Sequence, residues 1–206
     1  MQFNALAKNE ISLKKCSHMQ YQKIFFLAIL ISISAVLISN QLQSTDNISI
    51  LVNNSGPFIG TSISYQNGYD GSGIIISIID TGIDLNHPDL EGQIIGGYDF
   101  VDNDEIPEDT NGHGTQVAGI IASNGNLKGI APNSKILMYK VSEDGESVPS
   151  HLIIKAIEKS IEDNADIINI SLGINQTNTK IDQVVNKAVK NNIFVVTAAG
   201  NFGPEL

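Results

Sequence analysis

The sequence predicts an α/β fold of three layers, in which a mostly parallel, doubly wound sheet carries helices on both faces. Two observations lead there. The stretch "GIIISIID" at 73–80 is an unbroken, β-branched aliphatic run, which is how a strand buried on both faces reads. Strand-like and helix-like segments then alternate four times down the chain, the pattern of successive βα units. In such sheets, binding and chemistry gather beyond the carboxyl ends of the strands.

The elements follow in order. After the first strand and an acidic loop, "HGTQVAGIIAS" (113–123) reads as a helix, and "KILMYKV" (135–141) as the second strand. "SHLIIKAIEKSIEDN" (150–164) places Leu152, Ile153, Ala156, Ile157 and Ile161 on one helical face, with Ser150 as the expected N-cap. "DIINISL" (166–172) is a third strand. "IDQVVNKAVKNN" (181–192) repeats the helical spacing through Ile181, Val184, Val185, Ala188 and Val189, and "IFVVTAA" (193–199) is a fourth strand.

Composition narrows the functional classes. The 206 residues carry a formal net charge of -10, have no arginine, and contain no lysine from residue 24 to 127. Nucleic acid is excluded as a partner on that basis, since phosphate binding needs clustered cations. The hydrophobic share of 42% is enough for a sizeable core. Cys16 is the only cysteine, so no intramolecular disulfide braces the fold.

The chain divides into three regions. Residues 1–39 hold Lys8, Lys14, Lys15 and Lys23 followed by the uncharged run "IFFLAILISISAVLIS" at 24–39, the layout of an export signal. The run is short for a span of about 20 residues, yet no clear Ala-x-Ala cleavage site follows. Cleaved signal peptide and uncleaved membrane anchor both remain open, with Met19 an alternative start. Either way the remainder is expected outside the cytoplasm, secreted or anchored at the outer face of the membrane. Residues 40–57 read as a polar linker, and 58–206 as the folded domain.

An aspartate directly after six aliphatic or small residues is the first functional signal. Burying a carboxylate is costly unless it is paired or hydrogen-bonded, so Asp80 marks a site at a strand end. His113 stands between Gly112 and Gly114, which let the chain turn tightly beside the ring; Ala118, Gly119 and Ala122 then let the helix lie close to the sheet.

Taken together, these residues resemble the subtilisin-like serine proteases, the subtilases of peptidase family S8. "IIDTGIDLNHPDL" surrounds Asp80, "NGHGTQVAG" surrounds His113, and "NISLG" is followed by "VVTAAGN" ending at Asn201. The acidic loop is thermitase-like. The resemblance covers about residues 56–206 and implies a subtilisin-like fold, C-terminally incomplete, with serine endopeptidase activity on polypeptides.

It also implies roles. Asp80 would orient His113 and stabilise its imidazolium, His113 would be the general base, and Asn201 would donate to the oxyanion. Ser171, Leu172 and Gly173 would pair with an extended substrate, and Gly145 to Ser147 would form the opposite edge strand. Glu143, Asp144 and Glu146 nearby suggest a preference for basic or neutral side chains upstream of the cut. A structural calcium ion would take Asp99, Asp104 and Glu108, whose loop at 99–112 is dense in hard oxygen ligands; a solvated acidic loop is the other reading. No organic cofactor is expected.

The nucleophilic serine of the family, in a Gly-Thr-Ser-Met-Ala segment, is absent from the chain. Gly60-Thr61-Ser62 has three of the letters but precedes Asp80. The chain alone is therefore expected to be inactive. Two other classes compete with the protease: a peptide-binding subtilase relative without catalysis, and a phosphohydrolase using Asp80 as nucleophile.

Overall fold

The computed structural model describes residues 59–146, 148–173 and 178–200. Five strands among them, β1 (Ile75–Asp80), β2 (Ile94–Asp99), β3 (Lys135–Lys140), β4 (Ile167–Ile170) and β5 (Phe194–Thr197), form one sheet in the order β2-β3-β1-β4-β5. Every neighbouring pair is parallel. Four α-helices accompany them: α1 (Thr61–Gln66), α2 (His113–Ala122), α3 (Ser150–Glu162) and α4 (Thr179–Lys190).

The alternation of side chains along each strand separates two cores. Ile76 and Ile78 of β1, Ile136 and Met138 of β3, Ile167 and Val196 pack with Val117, Ala118 and Ile121 of α2. On the other face Ile79, Leu137, Tyr139, Ile168 and Ile170 meet Leu152, Ile153, Ala156 and Ile157 of α3 and Val184 and Ala188 of α4. Ser77 also points to that second face, where its hydroxyl lies 2.6 Å from that of Ser160. Helix, sheet and helix pair thus make the three layers expected of the sequence.

Local differences have local causes. Strand β2 was not anticipated, because "IIGGYD" has two glycines where a strand pattern needs side chains, and it lies at a sheet edge with Ile95 half exposed. Gly97 is required there: a Cβ would come within 2.1 Å of the Met138 carbonyl oxygen. Ser150 is not the N-cap of α3 but its first residue; the Pro149 carbonyl accepts from Leu152 and Ile153 and starts the helix one position earlier. Helix α4 begins two residues before its expected start, at an Asn178 cap whose side chain accepts from the Lys180 amide. Val189, assigned to its apolar face, is exposed instead, because α4 packs chiefly on α3 and β5 among the described elements and buries only Val184 and Ala188 there.

The glycines of α2 differ in what they permit. A Cβ on Gly114 would stand 2.1 Å from the Gly82 carbonyl oxygen, so this position lets the helix touch the loop after β1. Gly119, expected to serve the same close packing, faces open space with nothing within 4 Å. Two variants should therefore diverge in thermal or urea melts. Gly114→Ala is expected to lose about 1–3 kcal/mol through overpacking against backbone, and Gly119→Ala to gain up to about 1 kcal/mol through helix propensity.

Candidate active site

Asp80 is the last residue of β1, two positions beyond Ile78, and so points to the α2 face. Helix α2 begins with His113. Strand end and helix start meet there, and His113 Nδ1 lies 2.7 Å from Asp80 Oδ1. The same oxygen accepts the Thr81 amide at 2.7 Å. Asp80 is fully buried, while a third of the His113 side chain remains accessible. One ring nitrogen is therefore fixed against a carboxylate in the interior, and the ring still reaches the surface.

The electrostatics follow from this contact. The hydrogen bond to Asp80 raises the His113 pKa above the ordinary imidazole value; burial opposes the shift, and the charges of Asp80 and Asp109 add to it. A neutral ring bonded through Nδ1–H to Asp80 has Nε2 free to accept a proton, and the carboxylate favours the imidazolium that results. Asp80 itself is placed wrongly for attack on a substrate: it is fully buried and already bonded to the ring and the Thr81 amide. This removes the phosphohydrolase reading.

The remaining expected site residues are distributed as follows. The register Ile79↔Ile170 brings the segment after β4 beside Asp80 at the carboxyl end of the sheet. In that segment Ser171 Oγ accepts from the Asn169 amide at 2.8 Å, Leu172 is buried, and Gly173 is exposed. Gly145 lies near the site, with Thr81 Cγ2 at 3.4 Å from where its Cβ would be. It does not, however, lie on an extended edge. It occupies a turn at φ 75°, closed by its amide on Ser142 Oγ and by the Glu146 amide on Asp144 Oδ1. Ser147 and Asn201 lie outside the described residues. Ser62 is exposed on α1, whose Tyr65 hydroxyl bonds the Gly129 carbonyl beyond the far end of α2. The ten-residue α2 spans about 15 Å, which sets Ser62 apart from His113.

The acidic loop has an internal cation that the sequence reading passed over. Lys140, 2% exposed at the end of β3, places Nζ 3.5 Å from Asp99 Oδ2 and 2.9 Å from Glu143 Oε1, and donates to the Glu108 carbonyl at 3.1 Å. Burial works against its charge, but Glu143 and Asp99 outweigh that and raise its pKa. Asp99 Oδ1 accepts the Val101 and Asp102 amides, and Asp104 Oδ1 accepts the Ile106 amide. Asp99 and Asp104 are joined by a backbone bridge. Among the described residues no three acidic, histidine or cysteine side chains converge as a metal site. A lysine within a strand that faces a run of carboxylates was the available signal.

Comparison with known proteins agrees with this geometry. Residues 71–206 match the model of the subtilase family, peptidase S8. The chain is 39% identical to the minor extracellular protease Vpr of Bacillus subtilis (strain 168) over 78% of this chain and 22% of that protein. It is 42% identical to thermitase of Thermoactinomyces vulgaris over 65% of this chain and 50% of that one. A major intracellular serine protease of Bacillus subtilis (strain 168) also matches. Among solved structures, a cold adapted subtilisin-like serine proteinase superposes with a TM-score of 0.58 at 36% identity, covering 64% of this chain and 48% of that one. The chain thus spans half or less of the length of these relatives. With a strand-end aspartate bonded to a helix-start histidine and a family match from residue 71 to 206, the chain belongs to the subtilase family.

Proposed function

We propose that this chain supplies the aspartate and histidine of a Ser-His-Asp endopeptidase acting on polypeptides. The 2.7 Å bond between His113 Nδ1 and Asp80 Oδ1 carries the reading. When a serine hydroxyl attacks a peptide carbonyl, its proton passes to His113 Nε2 and is then returned to the leaving amine, so that the peptide C–N bond breaks as the acyl-enzyme forms. Asp80 holds the tautomer and stabilises the imidazolium between the two transfers. Asn201 is the proposed oxyanion donor, and backbone at Ser171, Leu172 and Gly173 the proposed edge for an extended substrate.

The serine belongs to the family's Gly-Thr-Ser-Met-Ala segment and is not among the 206 residues. Treated alone with a fluorophosphonate, the chain is expected to stay unlabelled, and labelling at Ser62 would overturn that. Joined to a serine-bearing segment of the family, it is expected to hydrolyse casein. His113→Ala should then cost about 10⁶-fold in kcat and Asp80→Ala about 10⁴-fold, figures that come from subtilisin itself. A serine-bearing form that binds peptides without cutting them would favour the binding-protein reading.

Export is proposed from the basic region and the uncharged run at 24–39, which lie outside the described residues. No helix among the described residues is long and apolar enough to cross a membrane. Relatives named as extracellular and as intracellular both occur, so fractionation of cells expressing the whole chain decides the location.

Calcium carries no step of this mechanism. As arranged, Asp99, Asp104 and Glu108 do not fit an ion, because Asp99 faces Lys140 and the three carboxylates do not converge. A melt with and without chelator tests whether the loop closes on calcium: a lower Tm in chelator would establish binding, and an unchanged Tm is expected of the arrangement described.

The pH dependence has a definite sign. A histidine whose folded pKa is raised stabilises the fold fully below its unfolded value of about 6.5, and this stabilisation is lost as pH rises through the folded pKa. The neutral base therefore accumulates only above that raised value. Asp80→Asn removes the largest raising influence and leaves burial opposed only by the Asp109 charge, so the His113 midpoint should fall in an NMR titration.

A further inference from the structure

We propose that Asp109 is the positioning residue of this site, its carboxylate locking the loop that follows Asp80 to the first turn of the helix that presents His113. The functional meaning rests on His113 being the base; the structural argument does not. Asp109 Oδ1 accepts the Thr81 hydroxyl at 3.0 Å, the Asn111 amide at 3.1 Å and the Gly112 amide at 2.9 Å. Asp109 Oδ2 accepts the Thr115 amide at 2.9 Å and the Thr115 hydroxyl at 2.6 Å. The two hydroxyls extend the network, since Thr81 Oγ1 accepts the Gly114 amide at 2.9 Å and Thr115 Oγ1 accepts the Asp84 amide at 2.9 Å. Residues 81 and 84 are thereby stitched to residues 112, 114 and 115, on either side of the Asp80 and His113 pair.

This arrangement solves a capping problem that catalysis creates. The first amides of a helix have no partner within it and are ordinarily served by the side chain of the N-cap residue. Here the N-cap is Gly112, at φ 101°, and it has no side chain to offer. A glycine there takes the left-handed turn into the helix and leaves the N-cap position without a side-chain acceptor. Asn111 Oδ1 accepts the His113 amide at 3.2 Å, and Asp109 takes over the rest of the duty from three residues upstream, serving Gly112 and Thr115 directly and Gly114 through Thr81.

Charge is the second part of the role. His113 sits at the positive end of α2, where the helix dipole disfavours its protonation. The carboxylates that oppose this are Asp80 on β1 and Asp109 on the loop. Glu143, after β3, reaches the same loop through the Thr110 hydroxyl but is paired with Lys140. Burial works to raise the Asp109 pKa, yet the donors of Thr115, Gly112 and Asn111 outweigh it and keep the group below the ordinary carboxylate value, hence charged at neutral pH. Asp109→Asn keeps the shape and removes both the charge and one acceptor.

The test uses the 206-residue chain and needs no turnover, so it stands apart from the fate of the protease reading. Hydrogen exchange and NMR titration of His113 are compared in the parent, Asp109→Asn and Asp109→Glu. In Asp109→Asn the imidazole midpoint is expected to fall, and exchange at Gly112, Gly114 and Thr115 to quicken by about tenfold or more, as for loss of bonds to a charged acceptor. Core amides at Ile78 and Met138 should not change. Asp109→Glu should recover the midpoint in part, because it restores charge without the reach. Should Asp109→Asn fail to fold, Thr81→Val removes only the hydroxyl between Asp109 and Gly114, and faster exchange at Gly114 is again expected, with the His113 midpoint held by the Asp109 charge that this variant keeps. Unchanged exchange at those amides together with an unchanged midpoint in Asp109→Asn, or unchanged exchange at Gly114 in Thr81→Val, would overturn the proposal.

Discussion

A carboxyl group buried in the interior at a strand end is the constraint on which the rest of this structure depends. Asp80 is fully buried, and without partners that burial would cost several kcal/mol. The Thr81 amide and the His113 ring are what make it tolerable. The fold must therefore deliver the start of α2 to the end of β1 to within a fraction of an ångström. The parallel sheet does this through alternation, since Ile76 and Ile78 pack against α2 and aim Asp80 at the same helix.

Close approach then sets the composition of the contact. Gly114 is glycine because the helix meets the Gly82 carbonyl, and Gly112 adopts a left-handed conformation at the point where the loop turns into the helix. These choices strip the helix start of its ordinary cap and create the need that Asp109 meets. Around this centre, Lys140 binds the acidic loop to the end of β3 through Asp99, Glu143 and the Glu108 carbonyl. The segments carrying the aspartate and the histidine thus share a polar framework with the acidic loop and the end of β3.

Much of this was legible in the sequence, for identifiable reasons. Strands β1, β3 and β4 are apolar runs buried on both faces, and β5, only half buried at the opposite edge from β2, is still an apolar run, so composition alone marks all four. Strand β2 was not legible, because an edge strand with Gly96 and Gly97 has neither the alternation nor the bulk that signals a strand. Asp80 and His113 stood out because a carboxylate ending an aliphatic run and a histidine between glycines are locally unusual. Asp109 and Lys140 did not stand out, since their importance lies in partners far along the chain: Thr81 for the one, Asp99 for the other. Gly145 misled for a related reason, as a turn closed by Ser142 and Asp144 reads like a loop edge until its hydrogen bonds are seen.

The most direct test of the account is a proton NMR spectrum of the chain recorded below the His113 midpoint, alongside Asp80→Asn. If Asp80 holds the imidazolium as described, a far-downfield Nδ1–H resonance, protected from exchange, should be present in the parent and absent in the variant. A parent spectrum without that resonance, or a variant that retains it, would contradict the claim that Asp80 and His113 form the working pair of the site.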